Sequence, residues 1–155
     1  MKVTLLVVGK TTDKHLEVLI EDYVERIGHY LPFEIKVIPE LKNVKALSQA
    51  QQKTMEGELI LKAVGTTEVI LLDEHGKERR SIEFAEWMNK KMSAGRDLTF
   101  VIGGPFGFSE SVYQRADGQI SLSLMTFSHQ MIRLLFTEQM YRALTIIRGE
   151  KYHHE

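Results

Sequence analysis

The sequence predicts a single-domain α/β fold, a largely parallel sheet flanked by helices. Short apolar runs of strand length, Val3–Val8, Val69–Leu72 and Leu98–Ile102, alternate with segments of helical spacing. That alternation is what a parallel sheet with crossover helices leaves in a sequence. There is no repeat, low-complexity tract or linker, only three prolines, and 155 residues. One domain spanning 1–155 fits that length.

The elements follow in order. Val3–Val8 reads as a buried strand. Leu16, Leu19, Ile20, Tyr23, Val24 and Ile27 then keep helical spacing. Phe33–Ile38 alternates as a strand does and is closed by Pro39. Residues 48–64 form a helix candidate with a polar first half, weakened in its middle by Gly57. Val69–Leu72 is a short strand. Ser81 is placed to cap the next helix, which carries Phe84, Ala85, Met88 and Met92. Leu98–Ile102 runs into Gly103-Gly104-Pro105-Phe106-Gly107. Ser109 caps a short helix to Ala116, and Ile120–Leu124 is extended. Ser128 caps a long last helix that ends at Gly149.

Composition excludes several function classes. The chain has no cysteine, so disulfides, thiolate zinc sites and cysteine nucleophiles are all absent. The N-terminal apolar run is too short for a signal peptide. No run approaches the roughly 18 apolar residues of a membrane span. The expected setting is the cytoplasm. Net charge is −1, whereas a protein that grips naked RNA through phosphates is more basic. Any contact with nucleic acid is therefore local or shared with a partner.

In open α/β sheets ligands bind beyond the carboxyl ends of the strands. That rule marks three places: after Leu72, at Gly103 and Gly104, and after Leu122. The glycine run is not G-x-G-x-x-G and sits on a late strand, so a dinucleotide site is not indicated. It reads either as a tight turn or as a close backbone approach to a ligand. Residues 121–127, Ser-Leu-Ser-Leu-Met-Thr-Phe, read as a core strand and loop, or as apolar walls for an adenine. Gly9-Lys10-Thr11 lacks the glycine five residues earlier that a P-loop needs and reads as a strand-to-helix turn. Asp73 and Glu74 are neighbours on a strand and point to opposite faces, so they are no acid–base pair.

His129 and Arg133 stand four apart, one turn of helix, close to the glycine site. The last helix carries apolar residues over more than one stripe, among them Leu134, Leu135, Phe136, Met140, Tyr141, Leu144 and Ile147. One face suits the sheet and another suits a partner helix. The tail Arg148–Glu155 combines Tyr152, His153 and His154 with cations. It reads as a frayed end or as a stacking and phosphate-contact segment. No further ligands stand at metal-binding spacing from its histidines, so no metal is expected.

The segments MKVTLLVVGK, VILLDEHGK, FVIGGPFG, LSLMTFSHQMIRLLFTEQMYRA and RGEKYHHE together resemble the RlmH family, large-subunit ribosomal RNA methyltransferases of the SPOUT class. The likeness covers essentially the whole chain in order. It implies a C-terminal trefoil knot, which backbone physics alone would not propose. It implies a homodimer whose active sites are completed across the interface. The implied reaction uses S-adenosylmethionine (SAM) to methylate N3 of a pseudouridine in 23S ribosomal RNA of the assembled ribosome, with no DNA, membrane or metal involved. Matched position by position, Leu72, Gly103, Leu122, Ser123, Leu124, Met125, Thr126 and Phe127 are the implied SAM-binding residues, with Gly104 beside them. His129, Arg133, Tyr152 and His153 fall at the positions implied near the target base. Gln130 departs from the proline that many members carry after the histidine. Another RNA substrate such as tRNA, or a ribosome-bound module without activity, are the competing readings.

Overall fold

The structure is a computed structural model that describes residues 1–155. The chain runs β1 (Val3–Val8), α1 (Lys14–Gly28), β2 (Phe33–Ile38), α2 (Gln49–Val64), β3 (Glu68–Glu78), α3 (Ser81–Ala94), β4 (Leu98–Ile102), α4 (Glu110–Arg115), β5 (Gly118–Ser121) and α5 (Met131–Ile147). The five strands make one sheet in the order β2-β1-β4-β3-β5, and every pairing is parallel. All strand ends that carry ligands in such folds therefore open on one edge.

Strand periodicity sorts the core into two layers. Val3, Leu5 and Val7 of β1 join Leu98, Phe100 and Ile102 of β4 on one face, under Ile27, Phe84, Met88, Phe136 and Met140 from α1, α3 and α5. Leu6, Val8, Val69, Leu71 and Val101 point the other way, against Ile60 and Val64 of α2 and Val112 of α4. Phe100 and Phe136 anchor the first layer, fully buried with ring centroids 4.7 Å apart. Each such aromatic contributes about 1.5–3 kcal/mol through burial.

Several boundaries differ from the sequence reading, each for a local reason. β3 does not stop at Leu72. After a break in register it continues, pairing Lys77 with Ile120 and Glu78 with Ser121. Gly76 permits this crossing, since a Cβ there would stand 2.6 Å from the Ile120 carbonyl carbon. Ser81 is not the cap of α3 but its first residue. Arg80 holds the cap position, its N–H donating to Glu83 at 2.8 Å, while the Ser81 hydroxyl donates to Gln139. β5 covers Gly118–Ser121 rather than residues 120–124, so Leu122 onwards is loop. α5 begins at Met131, whose N–H donates to the Ser128 hydroxyl at 3.0 Å. His129 and Arg133 thus do not share a helix face, because His129 lies before the first turn. Gly57 does not interrupt α2; it makes room for α4, whose Ser109 Oγ would stand 2.4 Å from a Cβ there. Both flanks of α5 meet helices of the same chain, α1 and α3. The large apolar groups left exposed near it are Leu124, Met125, Phe127 and Met131, before or at its start. No helix is long and apolar enough to cross a membrane.

Candidate active site

The carboxyl ends of β3, β4 and β5 surround a cavity of about 420 Å³, within the range of small-molecule sites. Leu72, Ile102, Ile120 and Leu122 supply apolar walls. Gly103 and Gly104 form one rim, and Ser123, Met125, Thr126, Phe127 and His129 form the opposite one. Leu124 is the one residue of the 122–127 run outside the lining, with its side chain 80% exposed. The rim holds its own shape. The Ser121 hydroxyl donates to the Ser123 carbonyl, Met125 N–H donates to the Ser123 hydroxyl, and Thr126 Oγ1 donates to Glu74 at 2.9 Å.

Glu56 lies behind the glycine rim. It is buried on α2 and accepts a hydrogen bond from Gly104 N–H at 2.9 Å. Burial pushes its carboxyl above the ordinary range, against the pull of that bond and of His129. A Cβ on Gly104 would come within 2.5 Å of the Glu56 carboxylate, so glycine is required by close approach. On the β3 side, Asp73 accepts from the Tyr113 hydroxyl and from His75 N–H. Burial raises the Asp73 carboxyl, but the bonds from Tyr113 and His75 outweigh it and hold the group below its ordinary value.

A family model described as "Predicted SPOUT methyltransferase" matches residues 1–153. The chain belongs to the SPOUT methyltransferases. Within them it belongs to the RlmH family. It is 60% identical to the ribosomal RNA large subunit methyltransferase H of Bacteroides thetaiotaomicron, over 100% of both chains. It is 55% identical to the protein of the same name from Flavobacterium johnsoniae, again over 100% of both. Among solved structures it resembles a probable methyltransferase from Bordetella pertussis Tohama I, with a TM-score of 0.58 at 10% identity over 92% of this chain and 94% of that one. At that identity the likeness speaks for the fold.

Arg133 does not line the cavity of this SPOUT chain. It is 1% exposed. Its guanidinium donates to the carbonyls of Val8, Gly9 and His129, each at 2.9 Å, and to Thr11 Oγ1 at 3.2 Å. The arginine thereby locks the β1–α1 turn to the segment that carries His129. Gln130 reinforces this clamp by accepting from Thr12 N–H at 2.9 Å and donating to the Lys10 carbonyl. At the position where the resemblance implies proline, the Gln130 side chain ties down Lys10–Thr12.

Tyr152 and His153 do not line the cavity either. They fold back onto α5 instead of fraying. The Tyr152 hydroxyl donates to Glu138 at 3.0 Å and lies 3.3 Å from the Tyr23 hydroxyl, with its ring edge-on to Tyr141. Burial and these neighbours push its phenol above the ordinary range. His153 Nδ1 faces Arg142 Nη1 at 3.0 Å. Arginine only donates, so Nδ1 accepts and the neutral ring carries its proton on Nε2. That Nε2 is buried with no hydrogen-bond partner.

The sequence reading missed Glu56 and Tyr113, whereas the four-residue spacing of Glu138 and Arg142 does mark a pair that the structure forms, at 2.6 Å. Glu56 was the more legible of the two missed. It stands four and eight residues before Ile60 and Val64, the buried stripe of α2, and an acid on an apolar stripe is a signal. Tyr113 acquires meaning only through Asp73, 40 residues away in sequence. No group of three or more His, Asp or Glu side chains is arranged to hold a metal.

Proposed function

We propose that the protein transfers a methyl group from SAM to N3 of a pseudouridine in 23S ribosomal RNA, acting in the cytoplasm on assembled ribosomes. The observation that carries this reading is the cavity at the ends of β3–β5, in a chain whose full-length relatives are named ribosomal RNA large subunit methyltransferases. The cavity suits the donor: Leu72, Leu122 and Phe127 offer apolar faces, and the Gly103–Gly104 turn supplies wall with no side chain to fill the space. SAM supplies an electrophilic methyl on a sulfonium and leaves as a neutral thioether. Ring N3 must lose its proton and present its lone pair in line with that methyl, so positioning contributes much of the rate.

The residues then divide by task. His129 lines the cavity, and we assign it the N3 proton. Arg133 is a positioning residue that fixes the His129 backbone. His153 is anchored by Arg142 through Nδ1 and flanked by Tyr152, and we assign this pair to holding the target base rather than to proton transfer. Since Tyr152 and His153 stand away from the cavity of their own chain, a two-fold dimer that brings them to the partner's cavity completes the site. The exposed apolar groups at Leu124, Met125, Phe127 and Met131 suit that contact. The trefoil knot belongs to the same reading.

The test is methyl transfer from labelled SAM into intact ribosomes, followed by digestion and identification of the nucleoside. N3-methylpseudouridine in 23S RNA is the expected product. Label in another base, or in tRNA alone, refutes the assignment. The pH–rate profile separates the histidines: His129→Gln should remove the acidic limb, whereas His153→Gln should lower the rate and leave the limb in place.

A further inference from the structure

A second cavity, of about 320 Å³, adjoins the first through Ile120, Ser121, Leu122 and Phe127. Its other walls are of a different kind. Lys77, Arg79 and Arg80 stand along one side, and Ser81 opens α3 there. Phe84, Leu135, Glu138 and Gln139 complete it. Three cations within four residues are unusual in a chain whose net charge is −1. We propose that this cavity is a nucleotide subsite in which Lys77, Arg79 and Arg80 hold a backbone phosphate of the RNA that the enzyme methylates.

Four observations carry it. First, the cations are sparsely countered, with Glu155 the one carboxylate of the chain paired to them. Arg79 Nη1 has no hydrogen-bond partner within the protein, and the residue as a whole is half-buried on the cavity wall, so a small rotation of the guanidinium offers an unmatched donor to an acceptor in the cavity. The Arg80 guanidinium has one carboxylate near it, Glu155 at 3.6 Å, from the exposed C-terminal residue. Second, Arg79 is held in place, its guanidinium 5.2 Å over the Trp87 ring, so it is ordered before a ligand arrives. Third, α3 is a helix of 14 residues whose N-terminal end adds positive potential to the same spot. Fourth, the one carboxylate in the lining is already engaged: Glu138 accepts from Arg142 at 2.6 Å, from Tyr152 and from Gln139. Phe84 and Leu135 add apolar surface for the sugar of the nucleotide. Cations interleaved with aromatic rings are the pattern that single-stranded RNA selects.

The proposal rests on the RNA substrate of the preceding reading, and its test separates the two. Binding of fluorescent oligouridine is measured by anisotropy over a series of salt concentrations. SAM binding is measured by calorimetry on the same proteins. Arg79→Ala should weaken oligouridine about tenfold, the loss expected for a charge-assisted hydrogen bond. It should also lower the slope of log K against log salt by about 0.7, one single-strand phosphate contact. Arg79→Lys should keep the slope and part of the affinity, and SAM affinity should stay within about twofold. Because Arg79 also packs on Trp87, Lys77→Ala with Arg80→Ala forms a second variant, checked by thermal melting. Wild-type affinity and slope in a folded Arg79→Ala protein would overturn the subsite. So would a loss of SAM affinity as large as the loss for RNA, which would give the cations to the methyl donor. A slope that falls in a protein unable to methylate ribosomes would sink the reaction assigned above and leave the phosphate subsite standing.

Discussion

The cavity at the ends of β3–β5 and the C-terminal tail are built on opposite principles. The cavity is made by backbone: strand ends, two glycines and a loop that folds on its own hydroxyls. The tail is made by side chains that reach across the fold, with Tyr152 meeting Glu138 and Tyr23, and His153 meeting Arg142. A backbone site tolerates changes of side chain and fails when a Cβ intrudes. A side-chain site tolerates small shifts of backbone and fails when one partner is removed.

The largest effect should come where the two principles meet, at Arg133. Arg133→Met leaves the carbonyls of Val8, Gly9 and His129 without their donor inside the protein. Stability to urea should fall by about 3 kcal/mol or more, and methylation should fall with it. Wild-type stability would show that water replaces the clamp at no cost.

Gly104→Ala tests the backbone principle. The new methyl meets the Glu56 carboxylate at 2.5 Å, and relief of such overpacking costs about 1–3 kcal/mol. SAM affinity should drop at least tenfold by calorimetry. Gly103→Val is a less clean probe, since its Cβ points at the Phe108 ring, 2.9 Å away, in the core. The side-chain principle predicts the reverse pattern for removal of Lys151–Glu155. Methylation should be abolished and SAM affinity kept within about twofold. Because the Tyr152 ring packs on Tyr141, about 1 kcal/mol of stability should also be lost. Full activity would return the tail to a structural role.

A smaller effect attaches to Glu56. Burial raises its folded carboxyl above the ordinary value of 4.5. The protonated form is therefore favoured by folding, and stability present below that value is lost as pH rises through the folded one. Glu56→Gln imitates the protonated form while still accepting from Gly104. It should match wild type in acid and exceed it at neutral pH. A constant difference across the pH range would mean that the carboxylate is not strained. The least effect is expected of Gln130→Pro, which removes the tie to Lys10 and Thr12 and should cost about 1 kcal/mol or less. SAM binding should be unchanged.

The same contrast explains what could be read without coordinates. Val3–Val8, Phe33–Ile38 and Leu98–Ile102 match their strands residue for residue, because apolar pattern and flanking turns agree there. The ends of β3, β4 and β5 as ligand positions follow from topology alone, and they frame one cavity. The extension of β3 through Asp73–Glu78 was not legible, since Asp-Glu-His-Gly spells a turn and only pairing with β5 overrides it. The task of Arg133 was equally hidden. Its spacing from His129 suggests a shared helix face, but the acceptors that determine its place lie more than 120 residues away in sequence. Backbone features depend on near neighbours, whereas side-chain networks depend on contacts that a linear pattern does not contain.

The position of β4 has a consequence for how the protein comes into being. β4 separates β1 from β3 in the sheet, so one edge of β1 and one edge of β3 wait for a strand that begins at Leu98, well past the middle of the chain. The turn after β1 then waits longer, for Arg133 in the last helix. Pairings at such long separation slow folding, because distant segments must be brought together before any contact rewards them. During synthesis the N-terminal half can therefore hold only β1 beside β2, with the remaining strand edges open. The cavity at the ends of β3–β5 is lined as far as Ile132, so its wall is complete only once the start of the last helix has been made.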